Sequence, residues 1–417
     1  MVVAIVPCKG ESVRVLDKNK RFVGGEPLWL RKARMLDRCE CVNRVVVDSD
    51  DKGIREEAAR HGFETLERPG EVNEFDGHEL FAWHVDSLAA DVYVEALCTA
   101  PFVTERHVKD CVGAVLGEFD TAYLVERRSD YEVGRYPDRL PNSVDLSGTV
   151  VDCMSLYAVS GKWALEHGKR TGGNEMRVRC RGYESIDVDY ETDLEHARLV
   201  ALGMKERDNA RLRALEGVLG SALVSDCLEE QGIVDYAMEF EFAPEASIVG
   251  RACTLGLSYK DSASCVGGIY DALQHYDWCM PGDLLVVETG PVYAAYFGEL
   301  NSLLAHRAGA RGCIVEHATR DSGEVVLPVW SDYRMPSDCR DVLGVRTIGG
   351  TVEIQGVAIE HGELLVADAD GVVRIPREIE TETVRLCLDR ADNEARIKMR
   401  IAHGFDTDAL VGSCGEF

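Results

Sequence analysis

The run Val2-Val-Ala-Ile-Val-Pro-Cys-Lys-Gly-Glu-Ser-Val-Arg-Val-Leu-Asp-Lys-Asn19 decides how the first half of this 417-residue chain is read. Val2 to Val6 are continuously apolar and β-branched for the most part, the pattern of a strand buried on both faces. The run is too short for the apolar stretch of a secretion signal and lacks a cleavage site. A glycine-bearing loop follows directly. Backbone N–H groups in such a loop can lie against a phosphate chain, while Lys9, Arg14 and Lys18 offset its charge. Working outward, Leu28 to Leu36 reads as a helix, Val45 to Val47 as a strand and Lys52 to Arg60 as a helix. Val92 to Leu97 reads as a strand and Glu105 to Leu116 as a helix. Strands alternating with helices predict βαβ units and a parallel sheet covered on both faces, with ligands beyond the carboxyl ends of the strands.

Composition narrows the function. Asp and Glu number 73 against 46 Lys and Arg, a formal charge of −27, which repels nucleic-acid phosphates and anionic membranes. We therefore expect no nucleic-acid and no membrane partner, and no window reaches the roughly 20 apolar residues of a membrane span. The 15 cysteines are scattered without Cys-x-x-Cys spacing, so they read as reduced, mostly buried thiols of a cytoplasmic protein rather than as a disulfide or zinc framework. The texture changes near residue 200. We expect a first domain over 1–200, a polar helical connector over 201–210 and a second domain over 211–417, closing in an amphipathic helix from Glu380 to Ala402. Such a helix packs either on its own domain or on a neighbouring subunit.

Late in the first half comes Ile186-Asp-Val-Asp189, followed by Asp193-Leu194. On a strand, Asp187 and Asp189 share a face, where two carboxylates can grip one hard divalent cation. Further quoted segments fall in a recognisable order: Gly24-Gly-Glu-Pro-Leu28, Val46-Val-Asp-Ser-Asp50 and Thr99-Ala-Pro101. Together with Pro7, Lys9, Ser12, Lys18 and Asn19, the series resembles the acylneuraminate and 3-deoxy-octulosonate cytidylyltransferase family over about the first 200 residues. The resemblance implies a Rossmann-like nucleotide-diphospho-sugar transferase fold and CTP as a substrate. It implies nucleotide binding by Pro7, Cys8, Lys9, Gly10, Ser12, Arg14, Lys18, Asn19 and Thr99, with Lys9 and Lys18 catalytic. It also implies Mg²⁺ (or Mn²⁺) on Asp187 and Asp189, and transfer of CMP to a 2-keto-3-deoxy sugar acid with release of pyrophosphate. Four positions depart from the family: Lys9 stands for Arg, Cys8 for a small residue, Glu26 for Lys and Leu97 for Gln. Lys lacks the bidentate fork of Arg.

The second half carries Pro281-Gly-Asp-Leu-Leu-Val-Val-Glu-Thr-Gly290, Tyr296-Phe-Gly-Glu-Leu300 and Ala310-Arg-Gly-Cys-Ile-Val-Glu-His-Ala-Thr-Arg-Asp321. Four runs, Leu284–Val287, Gly312–Val315, Val326–Val329 and Leu364–Asp368, read as short strands. In this order the segments resemble the class II pyruvate aldolases acting on 4-hydroxy-4-methyl-2-oxoglutarate, a family that includes the regulator of ribonuclease E activity. The resemblance implies a C-terminal α/β domain of swivelling ββα type. It implies Arg320 on a pyruvate enolate, Asp321 on Mg²⁺ through water, Glu299 as the upstream carboxylate and Gly290 N–H against the pyruvate carboxylate. His317 replaces a glycine of the family and reads either as a structural imidazole or as a base. Family assemblies imply a homo-oligomer, whether dimer, trimer or hexamer. Aldol addition of pyruvate yields a 2-keto-3-deoxy acid, so one domain would make what the other activates. The alternative is a cytidylyltransferase for a non-sugar acid such as a phosphonate, with a C-terminal keto-acid lyase, decarboxylase or non-catalytic trimerising module.

Overall fold

The computed structural model describes residues 1–131, 133, 135, 138–146, 148–290, 292 and 294–404. The chain divides into two compact units, Met1–Leu202 and Gly203–Phe417, and the division falls inside the helix Glu191–Leu215, which contains residues 201–210. In the first unit a seven-stranded sheet runs in the order Glu64–Glu67, Arg44–Ser49, Val2–Cys8, Val92–Ala96, Thr149–Ser160, Thr121–Arg128, Glu175–Arg179. The first four strands are mutually parallel, in the register Val3 to Arg44 and Val2 to Val92. The sheet is not parallel throughout, because Thr149–Ser160 runs antiparallel to both of its neighbours. Its first six residues, Thr149–Met154, are mostly exposed, a pattern that the continuous apolar runs upstream do not share. Local chemistry sets the helix starts: Asp51 accepts from Ile54 N–H ahead of Lys52–Arg60, and Asp76 with Glu79 closes a capping box on Gly77–Ser87. Cys8, Ser49, Glu67 and Ala96 consequently end at one edge of the sheet, where such folds hold ligands.

The second unit is also mixed α/β. Its sheet runs Ala237–Met238, Gly371–Ile375, Leu364–Asp368, Ile248–Tyr259, Leu284–Glu288, Gly312–Val315, Val329–Trp330, and Leu343–Ile348 joins antiparallel to the long central strand. The strand expected over 326–329 forms only from Val329, since Pro328 has no N–H to give a ladder. The 12-residue strand Ile248–Tyr259 was not foreseen, its pattern being broken by Gly250, Arg251 and Gly256. The terminal helix Glu380–Ala402 packs on the helix Ser221–Glu230 of its own unit through Val384 and Cys387, while Met399 and Ile401 near its end are exposed.

One buried cation in the first unit stands out. Lys32, on the helix Leu28–Asp37, is 2% exposed, and its Nζ donates to Ala100 O at 2.7 Å. Burial lowers its pKa to about 7. The folded state therefore prefers the neutral amine. The resulting cost to folding is fully present below pH 7 and is relieved as the pH rises toward the unfolded value near 10.4. Lys32→Met keeps the stem and removes the charge. We expect it to raise the thermal midpoint at pH 6 by several degrees, with the gain vanishing by about pH 10. A midpoint lowered at pH 6 would show that the bond to Ala100 outweighs the desolvation.

Candidate functional site

The loop after Val2–Cys8 walls a cavity of about 360 Å³ at the carboxyl edge of the first sheet. Of the nine expected nucleotide-binding residues, Pro7, Lys9, Ser12, Arg14, Lys18, Asn19 and Thr99 line it. Cys8 lies under it, with Sγ 3.9 Å from the Sγ of the lining residue Cys98. Gly10 differs from expectation. Its N–H donates to Asp50 Oδ1 at 2.7 Å, so this amide is used within the chain rather than offered to a phosphate. A side chain there would meet Asp51 Cβ at 2.8 Å, which accounts for glycine at the position. Asn19, 5% exposed, ties the loop together by donating from Nδ2 to Lys9 O at 2.8 Å.

Asp187 and Asp189 do not lie on a strand. They flank the buried Val188, whose N–H donates to Thr99 O at 2.8 Å, and this bond brings the acidic segment to the lining turn. Lys18 Nζ donates to Val188 O at 2.9 Å and to Asp189 Oδ1 at 3.4 Å, and Arg14 pairs with Asp189 at 2.7 Å. Burial, with Asp189 as a like-charged neighbour, raises the pKa of Asp187 against the Thr99 hydrogen bond. Its Oδ1 is buried without a hydrogen-bond partner. A lone carboxylate oxygen of this kind fits a hard cation. Among the described residues no group of three or more His, Cys, Asp or Glu side chains is arranged to hold a metal, so water and phosphate oxygens would complete the shell.

Arg68 and Cys98 line the cavity without having been expected there. Arg68 follows the edge strand at its carboxyl end, which was the available signal; Cys98 precedes the turn Thr99-Ala-Pro101. Arg68 is anchored from below. Its Nε donates to Asp48 at 3.0 and 3.1 Å, Asp48 also accepts from His84 Nε2 at 2.9 Å, and His84 Nδ1 donates to Glu95 Oε1 at 3.1 Å. Glu95 pairs with Arg170, whose guanidinium lies 5.3 Å from the Tyr157 ring centroid. Asp48, His84 and Glu95 are completely buried. Burial works against charge on the imidazole, but Asp48 and Glu95 outweigh it and hold the His84 pKa above its usual value. Burial likewise raises Asp48, yet His84 and Arg68 hold it below the usual carboxylate range.

In the second unit the helix Glu299–Ala308 starts beside the Arg320-Asp321 pair: a side chain at Gly298 would meet Asp321 Oδ2 at 2.8 Å and Arg320 Cγ at 2.9 Å. The structure thus brings Glu299, Arg320 and Asp321 to one place. Arg320 Nη1 pairs with Asp338 Oδ2 at 3.0 Å, a partner not foreseen because it sits in the irregular stretch after Tyr333-Arg334. Gly290 departs from expectation. Its N–H donates to Glu316 Oε2 at 2.8 Å, as does Thr289 N–H at 2.9 Å, so a carboxylate of the chain takes the place assigned to a substrate carboxylate. Burial raises the pKa of Glu316 although both amides favour its anion. His317, at φ +65°, is bonded through Nε2 to Gly290 O at 2.8 Å. This contact gives the imidazole a structural place.

The charged chain yields a test. A His84 pKa raised on folding gives stabilisation that is complete below the unfolded value of about 6.5 and is lost as the pH climbs through the folded value. We expect the gap in thermal midpoint between the wild type and His84→Gln to be widest near pH 6 and to shrink by pH 9. A constant gap would mean that the imidazole carries no extra proton.

Comparison with known proteins places both halves. Residues 3–136 match the family model described as cytidylyltransferase, and residues 221–374 match that described as aldolase/RraA. Over 162 residues the chain is 28% identical to an uncharacterized protein of Methanocaldococcus jannaschii, covering 38% of this chain and 75% of that one. Over 158 residues it is 28% identical to a putative 4-hydroxy-4-methyl-2-oxoglutarate aldolase of Halalkalibacterium halodurans, covering 36% and 70%. A solved CMP:2-keto-3-deoxy-manno-octonic acid synthetase complexed with CTP aligns at 15% identity and a TM-score of 0.39, covering 48% of this chain and 97% of that one. The chain joins a cytidylyltransferase-family region to an aldolase/RraA-family region.

Proposed function

We propose that the first unit transfers CMP from CTP to the hydroxyl of an acid, a 2-keto-3-deoxy sugar acid being the favoured class, with release of pyrophosphate. The observation that carries this reading is the cavity itself. It gathers Lys9, Arg14, Lys18 and Arg68 in a protein of strongly negative charge, next to a buried carboxylate oxygen without a partner. The acceptor oxygen attacks the α-phosphorus in line, a P–O bond to it forms and the bond to pyrophosphate breaks. Negative charge grows on the leaving group. Lys9 and Lys18 offset that charge, and Arg68, fixed by Asp48, orients the polyphosphate. Asp187 and Asp189 would hold a divalent cation, which supplies further charge neutralisation when bound.

For the second unit we favour a pyruvate-type keto-acid lyase acting through Arg320, with Glu299 and Asp321 beside it and a divalent cation held through water at Asp321. Coupled to the first unit, it would supply the 2-keto-3-deoxy acid that is activated there. One observation favours a second reading, a non-catalytic module. Both expected anchors for a keto acid are occupied within the chain, Gly290 N–H by Glu316 and Arg320 by Asp338. Oligomerisation and a cytoplasmic location belong to the proposal.

The test is pyrophosphate release with Mg²⁺, each of the four ribonucleoside triphosphates, and a panel of 2-keto-3-deoxy acids beside simple phosphonates. We expect turnover with CTP and one sugar acid, and a fall of about a hundredfold or more in Lys18→Ala. Release only with a phosphonate would move the acceptor outside the sugar acids. For the second unit, Arg320→Ala should abolish keto-acid turnover while leaving the assembly intact by light scattering. Unchanged turnover, or none in the wild type, would favour the non-catalytic module.

A further inference from the structure

Cys98 lines the cavity and a second thiol, Cys8, lies beneath it. Cys8 ends the strand Val2–Cys8 and Cys98 follows the strand Val92–Ala96. These parallel neighbours pair from Val2 to Val92 through Ile5 to Glu95, and Cys98 stands in the turn that follows, beside the end of the first strand. The sulfurs are 3.9 Å apart, Cys8 donating to Cys98. Both thiols are buried, Cys98 at 1% exposure, and Cys98 is the one of the two that stands among the residues lining the cavity. The Cys8 hydrogen bond, with Lys18 and Lys32 nearby, holds the Cys98 pKa below the usual thiol value.

We propose that Cys8 and Cys98 form an oxidation site at the floor of the nucleotide cavity, which a hydroperoxide converts to a disulfide that disables nucleotide transfer. The effect on transfer rests on the function proposed above. In the first step the Cys98 thiolate attacks the peroxide oxygen: an S–O bond forms, the O–O bond breaks, and hydroxide (or alkoxide) leaves with Cys98 as sulfenic acid. In the second, Cys8 sulfur attacks the sulfenic sulfur. The S–S bond forms, the S–O bond breaks, and the hydroxyl departs as water with the Cys8 proton. Two thiols are oxidised by two electrons and the peroxide is reduced. Disulfide formation draws Cys98 away from Asn19, to whose Oδ1 it now donates at 3.1 Å, and Asn19 is the residue that holds Lys9 O. Asn19 Oδ1 thereby loses a donor, and the side chain whose Nδ2 anchors the phosphate loop is held less firmly.

The experiment treats the full chain with hydrogen peroxide, with and without CTP. It then maps disulfide-linked peptides by mass and measures pyrophosphate release before oxidation, after it, and after dithiothreitol. We expect a peptide linking Cys8 to Cys98, a loss of roughly tenfold or more in release that dithiothreitol restores, and protection of both by CTP. In Cys8→Ser the linked peptide disappears and the loss resists dithiothreitol, because a sulfenic acid without a resolving thiol proceeds to sulfinic acid. Cys153 and Cys180, with sulfurs 2.8 Å apart and no place in the cavity lining, provide the control. Cys153→Ser should respond to peroxide as the wild type does. Oxidative loss that vanishes in Cys153→Ser and persists unchanged in Cys8→Ser overturns the proposal, as does a wild-type map with no Cys8–Cys98 link. If no acceptor supports release, the functional reading fails, while the peptide map and its protection by CTP still decide the oxidation site.

Discussion

Two carboxylates, Asp48 and Glu95, are sealed inside the first sheet at 0% exposure, and the first unit is arranged so that each meets cations. An isolated buried carboxylate is far too costly to retain as an anion. Here Arg68, His84 and Arg170 arrive from a strand end, a helix and a loop, giving an alternating row: Arg68, Asp48, His84, Glu95, Arg170. One end of the row opens into the cavity, since Arg68 lines it. The same contacts that make burial tolerable therefore fix a guanidinium at the carboxyl edge of the sheet, and packing and site geometry become one problem. Asn73 extends the network, its O accepting from Lys9, its Oδ1 from Arg68, and its Nδ2 donating to Asp50.

Much of this was legible in the sequence because short-range chemistry dictates it. Continuous Val and Ile runs gave the parallel strands, and the spaced cations of the loop after Val2–Cys8 do line a cavity, although its glycine amide turns to Asp50 instead of the cavity. What escaped notice depends on contacts between distant segments. Nothing local to Arg68 announces that Asp48, twenty residues away and itself held by His84, will fix it, and Asp338 lies eighteen residues past Arg320, with which it pairs. The Asp187-Val188-Asp189 segment reaches the cavity-lining turn by a different route from the one expected. The backbone bond from Val188 to Thr99, not a shared strand face, puts it beside the cavity. Strand Ile248–Tyr259 was hidden because glycines and an arginine interrupt it, and its neighbours on both sides sustain it.

The four departures from the family pattern separate once their surroundings are known. Glu26 pairs with Arg34, both being mostly buried, so the reversal of charge at this position is answered inside the unit, and Glu26 is not among the residues that line the cavity. Lys9 and Leu97 do face it, and Cys8 lies directly beneath. A point-charge ammonium in place of a fork reduces the geometric demand on a phosphate at Lys9, while Arg68, fixed through Nε and Nη2 to Asp48, keeps a planar cation in the same space. Leu97 removes a polar side chain from the wall and offers only dispersion and desolvation to whatever lies against it. Positive charge at the cavity is thus carried by Lys9, Lys18 and Arg68 together, whereas the wall at Leu97 offers no side-chain hydrogen bond. Under the proposed transfer, selectivity for the acceptor or the base, rather than phosphate handling, is where this chain has the most room to differ from the family that its first region matches.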